Sequence, residues 1–393
     1  MGAPRILLAG GGTGGHLYPA LNLAAALRHL EPGVELLLLG SRRGVEARVL
    51  PERDVPYRLL PVQPLYRSRP WRNLRLLTSA PAVGWGVRGI FRSFRPDLVV
   101  GTGGYASAPA VAWAVMKRIP TALQEQNAYP GVVTRMLAGR VDQLHLAYPE
   151  ALDHLSPGKR TVVHSHGNPV AVREGTETDS ARSADPLAYR WPRGRIVLVT
   201  GGSQGARGIN EALLRSLDSA AELPEDVTVV WVAGPAHAPA IAARVESSRW
   251  ANRIEVVPYI ENLGTQLHNA TLAIARAGAM SLAEMTAAGL PAVLVPLPTS
   301  AEGHQLANAR ALAAAGAAVV REEAELADGD LWSVAAEIFD APERLASMAA
   351  SSRERGAPDA ARRIAAALLE LARGRSSRRD GTRGAEPEVS DDG

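Results

Sequence analysis

The sequence predicts an α/β protein built as two doubly wound, Rossmann-like domains. Three observations lead there. Short apolar runs rich in Val, Leu and Ile alternate with helical patterns along the chain, which is the signature of βα units on a parallel sheet. In each half one such run ends in a glycine-rich turn followed by a helix: Gly10–His16 after Ile6–Ala9, and Gly201–Gly205 after Ile196–Thr200. A length of 393 residues suffices for two domains, each with its own core.

Taken in order, the apolar runs place strands at Ile6–Ala9, Val34–Leu39, Leu98–Val100, Ala122–Gln124 and Val162–His164 in the first half. In the second half they fall at Ile196–Thr200, Val227–Val232, Ile254–Val257, Leu272–Ala275 and Ala292–Val295. Intervening helices include Pro19–Leu30, Gly205–Ala221, Ala279–Ala288 and Gln305–Ala315. The stretch from Arg173 to Arg193 is rich in Ser, Thr, Asp, Gly and Pro without a periodic apolar face, so it reads as a connection between domains. The expected layout is residues 1–166 as the first domain, 167–194 as linker and 195–355 as the second domain. Residues 356–373 form a final helix returning toward the first domain, and 374–393, with almost nothing apolar, a disordered tail.

Composition narrows the function. Hydrophobic residues at 46% and charged residues at 21% are ordinary for a folded globular chain. Without cysteine, neither disulfides nor thiolate metal sites are available, and no zinc spacing exists among the histidines. No secretory signal is visible. The uncharged stretch Leu98–Met116 is interrupted by Gly101, Gly103, Gly104 and Pro109, and reads as strand, tight loop and helix, not as a membrane span. The net charge of +3 conceals an asymmetry: eight Arg and no carboxylate lie between Asp54 and Asp97, leaving the rest net acidic. A nucleic-acid partner is therefore not expected. Within that basic region, Leu65–Phe94 mixes Arg with Trp and Leu. Val87, Ile90, Phe91 and Phe94 recur at helical spacing, with Arg88, Arg92 and Arg95 on another face, the pattern of a helix resting on anionic lipid. An ordinary domain helix with a basic solvent side fits the same spacing.

The glycine loops carry the chemistry. Glycines let the backbone turn sharply and approach a ligand, while the following helix start offers N–H groups to phosphate. A third loop, Gly101–Tyr105, follows another strand. Gly10, Gly12 and Gly15 satisfy the dinucleotide spacing, and Arg42 and Arg43 could meet a 2′-phosphate, so an NADP-binding reductase is a second reading. An ATP-type P-loop is excluded, since Gly158-Lys159 lacks the preceding glycine and is followed by Arg160. His16 opens the helix after the first loop, where a neutral imidazole able to accept a proton is favoured; a capping or loop-packing histidine fits the same position. Glu284 is a carboxylate on an otherwise apolar helix, costly if buried without partners; ribose hydroxyls would satisfy it, and so would an exposed helix face. Asp328-Gly329-Asp330 matches a metal-binding Asp-x-Asp formally, but reads as part of an acidic surface turn. Arg276 reads as a loop-bracing or ion-pairing residue.

Gly11–His16, Gln124–Asn127, Gly201–Arg207 and Arg276–Asn308, in this order, resemble the MurG family over nearly all of Ile6–Arg373. These transferases add N-acetylglucosamine to the undecaprenyl-pyrophosphoryl-muramyl-pentapeptide lipid of peptidoglycan synthesis. The resemblance implies the glycosyltransferase-B type of fold, with two facing domains and a cleft between them. It implies inverting transfer from UDP-N-acetylglucosamine without metal or cofactor, in a protein sitting peripherally on the cytoplasmic face of the cell membrane. A different lipid acceptor for the same donor class is the nearest variant. Catalytic roles fall by resemblance to His16, Tyr105 and Asn127. The acceptor would be held by Gly14, Gly15, His16, Gly103, Gly104 and Tyr105. The donor would involve Thr13, Gly14, Gly15, Asn127 and Arg173, then Ser203 and Gln204 at the pyrophosphate and Ile260 at uracil. Ala279, Met280 and Ser281 would face the nucleotide, Glu284 the ribose, and His304 and Gln305 the transferred sugar.

Overall fold

The computed structural model describes residues 3–63, 74–171, 189–202, 204–219, 221–327 and 330–383. Its first sheet contains β1 (Arg5–Ala9), β2 (Glu35–Ser41), β3 (Tyr57–Leu60), β4 (Leu98–Gly101), β5 (Thr121–Glu125), β6 (Gln143–Leu146) and β7 (Val162–Ser165). These are all parallel, in the order β3-β2-β1-β4-β5-β6-β7. The second sheet contains β8 (Arg195–Thr200), β9 (Val227–Val232), β10 (Ile254–Val257), β11 (Leu272–Ala275), β12 (Ala292–Leu294) and β13 (Ala318–Val320). Its order is β10-β9-β8-β11-β12-β13, again all parallel. Both orders reverse direction beside the strand that leads into a glycine loop. At such a switch point the loops diverge and leave a crevice at the strand ends.

The central strands are continuous apolar runs because helices cover both faces of each sheet. Leu8 stands in register with Leu38 on one side and Val100 on the other, and all three are buried. In the second sheet Val199 pairs in the same way with Trp231 and Ile274. Three tryptophans, 231, 250 and 332, are fully buried there. Each indole N–H is satisfied, by Asn210 Oδ1 and by the Leu217 and Leu213 carbonyls. That pairing removes the cost of a buried donor.

Contacts divide the described chain into two units, one formed by residues up to 126, 130–171 and 359–383, the other by 127–129 and 189–358. The helix Ala360–Arg383 therefore belongs to the first unit. Its Ile364, Leu368 and Leu369 share a buried cluster with Leu17, Leu23 and Leu27 of the helix Gly14–Leu30.

Three expectations change. The final helix was to give way to a disordered tail at Gly374, but it continues to Arg383. Composition weighed the missing apolar residues, whereas a helix anchored upstream propagates without them. Residues 384–393 lie outside the described residues. Gly167–Val170, assigned to the linker, is part of the first unit: Asn168 is buried and Asn22 Nδ2 donates to the Pro169 carbonyl at 2.7 Å. Of the other linker positions, 189–194 group with the second unit, and 172–188, with Arg173, lie outside the described residues. Finally, the apolar stripe proposed to face lipid is used by the core. In the helix Leu74–Phe94, Val83, Val87 and Ile90 are buried in the first unit, and Phe91 and Phe94 pack against the same cluster. What remains exposed is Trp85, 79% accessible, with Arg88 and Arg92 three and seven residues on. Positions 65–73 of the proposed surface segment lie outside the described residues.

Candidate active site

In the first unit the loops after β1 and β4 nest together. Gly104, at φ +72°, lies so close to the Gly11 carbonyl that a Cβ would overlap it, so this junction requires glycine. Tyr105 lays its ring over Gly12, and the His16 imidazole rests on Gly103. His16 is fixed further by Thr102, whose hydroxyl donates to the His16 carbonyl at 2.8 Å. Its ring contact decides the chemistry. Nδ1 lies 3.0 Å from Gln126 Oε1, while Gln126 Nε2 donates to the carbonyls of Thr102 and Gln124, each at 2.9 Å. With the amide nitrogen committed to carbonyls, Oε1 is the acceptor and His16 carries its proton on Nδ1. In the neutral ring this tautomer leaves the lone pair on Nε2, the form a general base requires. Beneath this lies a buried amide network: Asn168 donates to the Gln126 carbonyl at 3.0 Å and accepts from Gln124 Nε2 at 3.0 Å. Gln126 was missed as a site residue. A glutamine at the end of a strand looks like any polar loop residue until the fold brings it under His16.

The dinucleotide reading fails on the same loop. The Glu46 carboxylate, fully buried, accepts the Gly12 N–H on both oxygens at 3.0 and 2.9 Å, and the Ser41 N–H at 2.6 Å. The Gly12 N–H, which the dinucleotide reading would aim at a cofactor, is already taken up by a protein carboxylate. Arg42 donates its Nε–H to the Leu59 carbonyl at 3.3 Å.

In the second unit, the loop after β8 and the segment after β11 border a cavity of about 560 Å³. Gly201, Gly202, Gly205, Ser281, Met285 and Gln305 line it, with Arg276 and Glu323 forming an ion pair on its wall. Arg276 also donates to the Val295 and Pro296 carbonyls at 3.1 and 3.2 Å, so it braces the loop. The helix Ala279–Ala287 starts at this cavity behind Gly278; Ala279, Met280 and Ser281 form its first turn and are half-buried. Gln305 Oε1 accepts the backbone N–H groups of Ala277 and Leu297 at 3.2 and 2.9 Å. Gln204 is exposed on the loop, and Ser203 lies outside the described residues.

Glu284, one turn further along the helix, lays its carboxylate against Gly264, where an added Cβ would push it aside. Among the described residues no donor reaches its carboxylate, and desolvation alone pushes its pKa up to about 7. Ile260, buried in the same cluster as Leu282 and Met285, lies just before that contact. The segment Asn127–Tyr129 groups with this unit. Asn308, fully buried, accepts the Ala128 N–H at 2.8 Å and donates to Asn127 Oδ1 at 3.1 Å. His304 Nδ1 lies 2.8 Å from the Tyr129 carbonyl, which fixes its proton there. Contacts thus assemble His16, Gly103, Gly104 and Tyr105 in one unit, with Thr13, Gly14 and Gly15 beside them at the helix start. Asn127 is grouped with His304, Gln305 and Glu284 in the other. Among the described residues no trio of His, Asp or Glu is placed to hold a metal ion. Asp330 is paired with Arg321 at 3.1 Å, and positions 328–329 lie outside the described residues.

Two family models match: the glycosyltransferase family 28 N-terminal domain over residues 6–146, and its C-terminal domain over residues 196–364. A protein of Moorella thermoacetica is 40% identical over 372 residues, covering 93% of this chain and 98% of its own. One of Salinibacter ruber is 40% identical over 379 residues, covering 94% and 97%. Both are named UDP-N-acetylglucosamine–N-acetylmuramyl-(pentapeptide) pyrophosphoryl-undecaprenol N-acetylglucosamine transferase. The crystal structure of Acinetobacter baumannii MurG superposes with a TM-score of 0.72 at 26% identity, covering 93% of this chain and 99% of that one. The chain belongs to the MurG family. It is a UDP-sugar glycosyltransferase built from the two parallel-sheet units of the glycosyltransferase-B class. MurG-family membership also accounts for two glycine loops in one chain, which the reductase reading left unexplained.

Proposed function

We infer that this protein transfers N-acetylglucosamine from UDP-N-acetylglucosamine to undecaprenyl-pyrophosphoryl-N-acetylmuramyl-pentapeptide, with inversion at the anomeric carbon. The observation that carries the mechanism is the His16–Gln126 contact, which in the neutral imidazole puts the proton on Nδ1 and the lone pair on Nε2. In this reading Nε2 takes the proton of the acceptor sugar hydroxyl as its oxygen attacks the anomeric carbon. The bond from that carbon to the diphosphate breaks, and UDP leaves with the electron pair. The negative charge growing on the diphosphate is met by the Gly201–Gly205 loop and the start of the helix Ala279–Ala287. Gln305, its oxygen tied to two N–H groups, turns an amide N–H₂ toward the transferred sugar, and Glu284 receives the ribose hydroxyls. The test is turnover with UDP-N-acetylglucosamine and a short-chain lipid-linked muramyl-pentapeptide. Release of UDP without a disaccharide product, or product with another lipid acceptor only, overturns the assignment.

The acceptor is a lipid, and one exposed face supports a peripheral position at the membrane. No described helix is long and apolar enough to cross a bilayer. Trp85, Arg88 and Arg92 project from one side of the helix Leu74–Phe94, an aromatic anchor beside two cations. Vesicles containing anionic lipid should bind the protein and release it as salt rises, and Trp85→Ala with Arg88→Gln and Arg92→Gln should weaken that binding at unchanged turnover on a water-soluble acceptor. Equal binding to neutral and anionic vesicles removes the electrostatic part of the reading.

A further inference from the structure

We propose that Glu46 is a positioning residue for the acceptor-side loop, a built-in anion doing what a bound phosphate does for glycine loops in nucleotide-binding proteins. The proposal rests on the reading of His16 as the acceptor-side base. A glycine loop at a strand end presents N–H groups toward a common centre, and without an anion there they repel one another and the loop relaxes. Here the Gly12 N–H of the loop meets a protein carboxylate. Glu46 accepts Gly12 N–H on both oxygens and Ser41 N–H on one, so it ties the loop after β1 to the end of β2. Its carboxylate is fully buried, and three glycines make room for it: a Cβ at Gly11, Gly40 or Gly44 would overlap the Glu46 side chain. Two of the three, Gly40 and Gly44, lie outside the glycine motif itself. Their presence is explained by the carboxylate they surround.

From Glu46 the constraint reaches His16 in short steps. Gly12 precedes Thr13, whose carbonyl accepts the N–H groups of His16 and Leu17 at 3.2 Å each and so starts the helix. On its other side Gly12 supports the Tyr105 ring, and the Gly11 carbonyl abuts Gly104. Glu46 thus holds the floor on which His16 and Tyr105 are presented.

The experiment compares Glu46→Gln, Glu46→Ala and His16→Ala in steady-state kinetics with UDP-N-acetylglucosamine and the short-chain muramyl-pentapeptide lipid, with UDP affinity measured by calorimetry. Glu46→Gln keeps the size but offers only one acceptor oxygen. It should lower kcat by roughly tenfold or more and raise the acceptor KM, leaving donor KM and UDP affinity within about twofold. In Glu46→Ala, acetate or formate should restore part of kcat, and chloride at equal ionic strength should not. Loss of base catalysis in His16→Ala should cost roughly 10²-fold in kcat. If His16→Ala is impaired while both Glu46 variants match the parent, the role given to Glu46 is wrong and the acceptor-side reading stands. Parental kinetics in His16→Ala overturn both. A loss in the Glu46 variants that falls equally on UDP affinity and is not rescued by acetate marks a general fold defect, and refutes the proposal.

Discussion

Glu284 shows how a single side chain separates the state of the free protein from that of the complex. A carboxylate without donors, half-buried on an apolar helix, is desolvated and holds its proton up to about pH 7. If ribose hydroxyls supply the missing donors, they favour the ionised form, so UDP binding must weaken as pH falls through 7 and the site fills with protons. Calorimetry at pH 8, 7 and 6 should show UDP affinity dropping up to about tenfold per pH unit below 7, over and above whatever drop Glu284→Gln shows. Glu284→Ala should cost about tenfold or more at pH 8, since hydrogen bonds to a charged group are worth roughly 1.5–3 kcal/mol. Identical pH dependence in parent and Gln variant would remove Glu284 from the ribose. This residue was legible in the sequence, because a lone acid among Leu282, Ala283 and Met285 asks for a partner. Gln126, Asn308 and Glu46 were not. Their roles depend on contacts across 110, 181 and 34 positions of the chain, which no local pattern encodes.

At the scale of elements, the edge of the first sheet carries an unusual stack. His145 on β6 and His164 on β7 lie with ring centres 4.9 Å apart, and His166 stands 4.8 Å beyond His164. His145 Nδ1 is 3.4 Å from His166 Nδ1, and its Nε2 is 3.1 Å from Gln143 Oε1. Glu370, Arg363 and Asp359 face the outer two rings from the C-terminal helix and the residue just before it. Burial, then the neighbouring imidazoles, lower the His145 pKa to about 3, and burial lowers the other two. Folded pKa values below the unfolded 6.5 mean that the unfolded chain binds protons first. Stability is therefore full above pH 6.5 and is lost as pH falls from there toward 3, by up to about 1.4 kcal/mol per unit for His145 alone. The thermal midpoint should drop steadily between pH 7 and 5, and His145→Phe, which keeps a stacking ring, should flatten that slope; an unchanged slope would place the acid sensitivity elsewhere. The strands behind this stack were only partly readable. Continuous apolar runs announced the central strands, but β6 alternates Gln143, Leu144, His145 and Leu146, and β3 opens with Tyr57-Arg58. Strands nearer a sheet edge need less apolar sequence, so the pattern that revealed the centre was weak there.

At the scale of the whole molecule, the two sheets repeat one plan with the same strand order around the same switch point, yet they put it to different uses. The first loop is closed by its own carboxylate, and the second opens on a cavity. The resemblance in sequence pattern between the two halves was readable; this difference was not, because it turns on Glu46 reaching back to a loop that precedes it by 34 positions. The helix Ala360–Arg383 adds a further asymmetry, since Ile364 and Leu368 are fully buried in the core of the first unit. Leu368→Ala should cost about 2–5 kcal/mol of stability with UDP affinity preserved in the surviving folded protein. A loss of UDP affinity without a loss of stability would contradict the helix's place in the first unit. The same helix imposes an order on synthesis. A ribosome delivers residues 189–358 before it delivers Ile364, so the second sheet has its complete set of core residues while the first still lacks a wall. The half of the protein that is translated first is thus the half that can be finished only last, and until the final helix emerges Leu17, Leu23 and Leu27 present an uncovered apolar stripe to which a chaperone could bind.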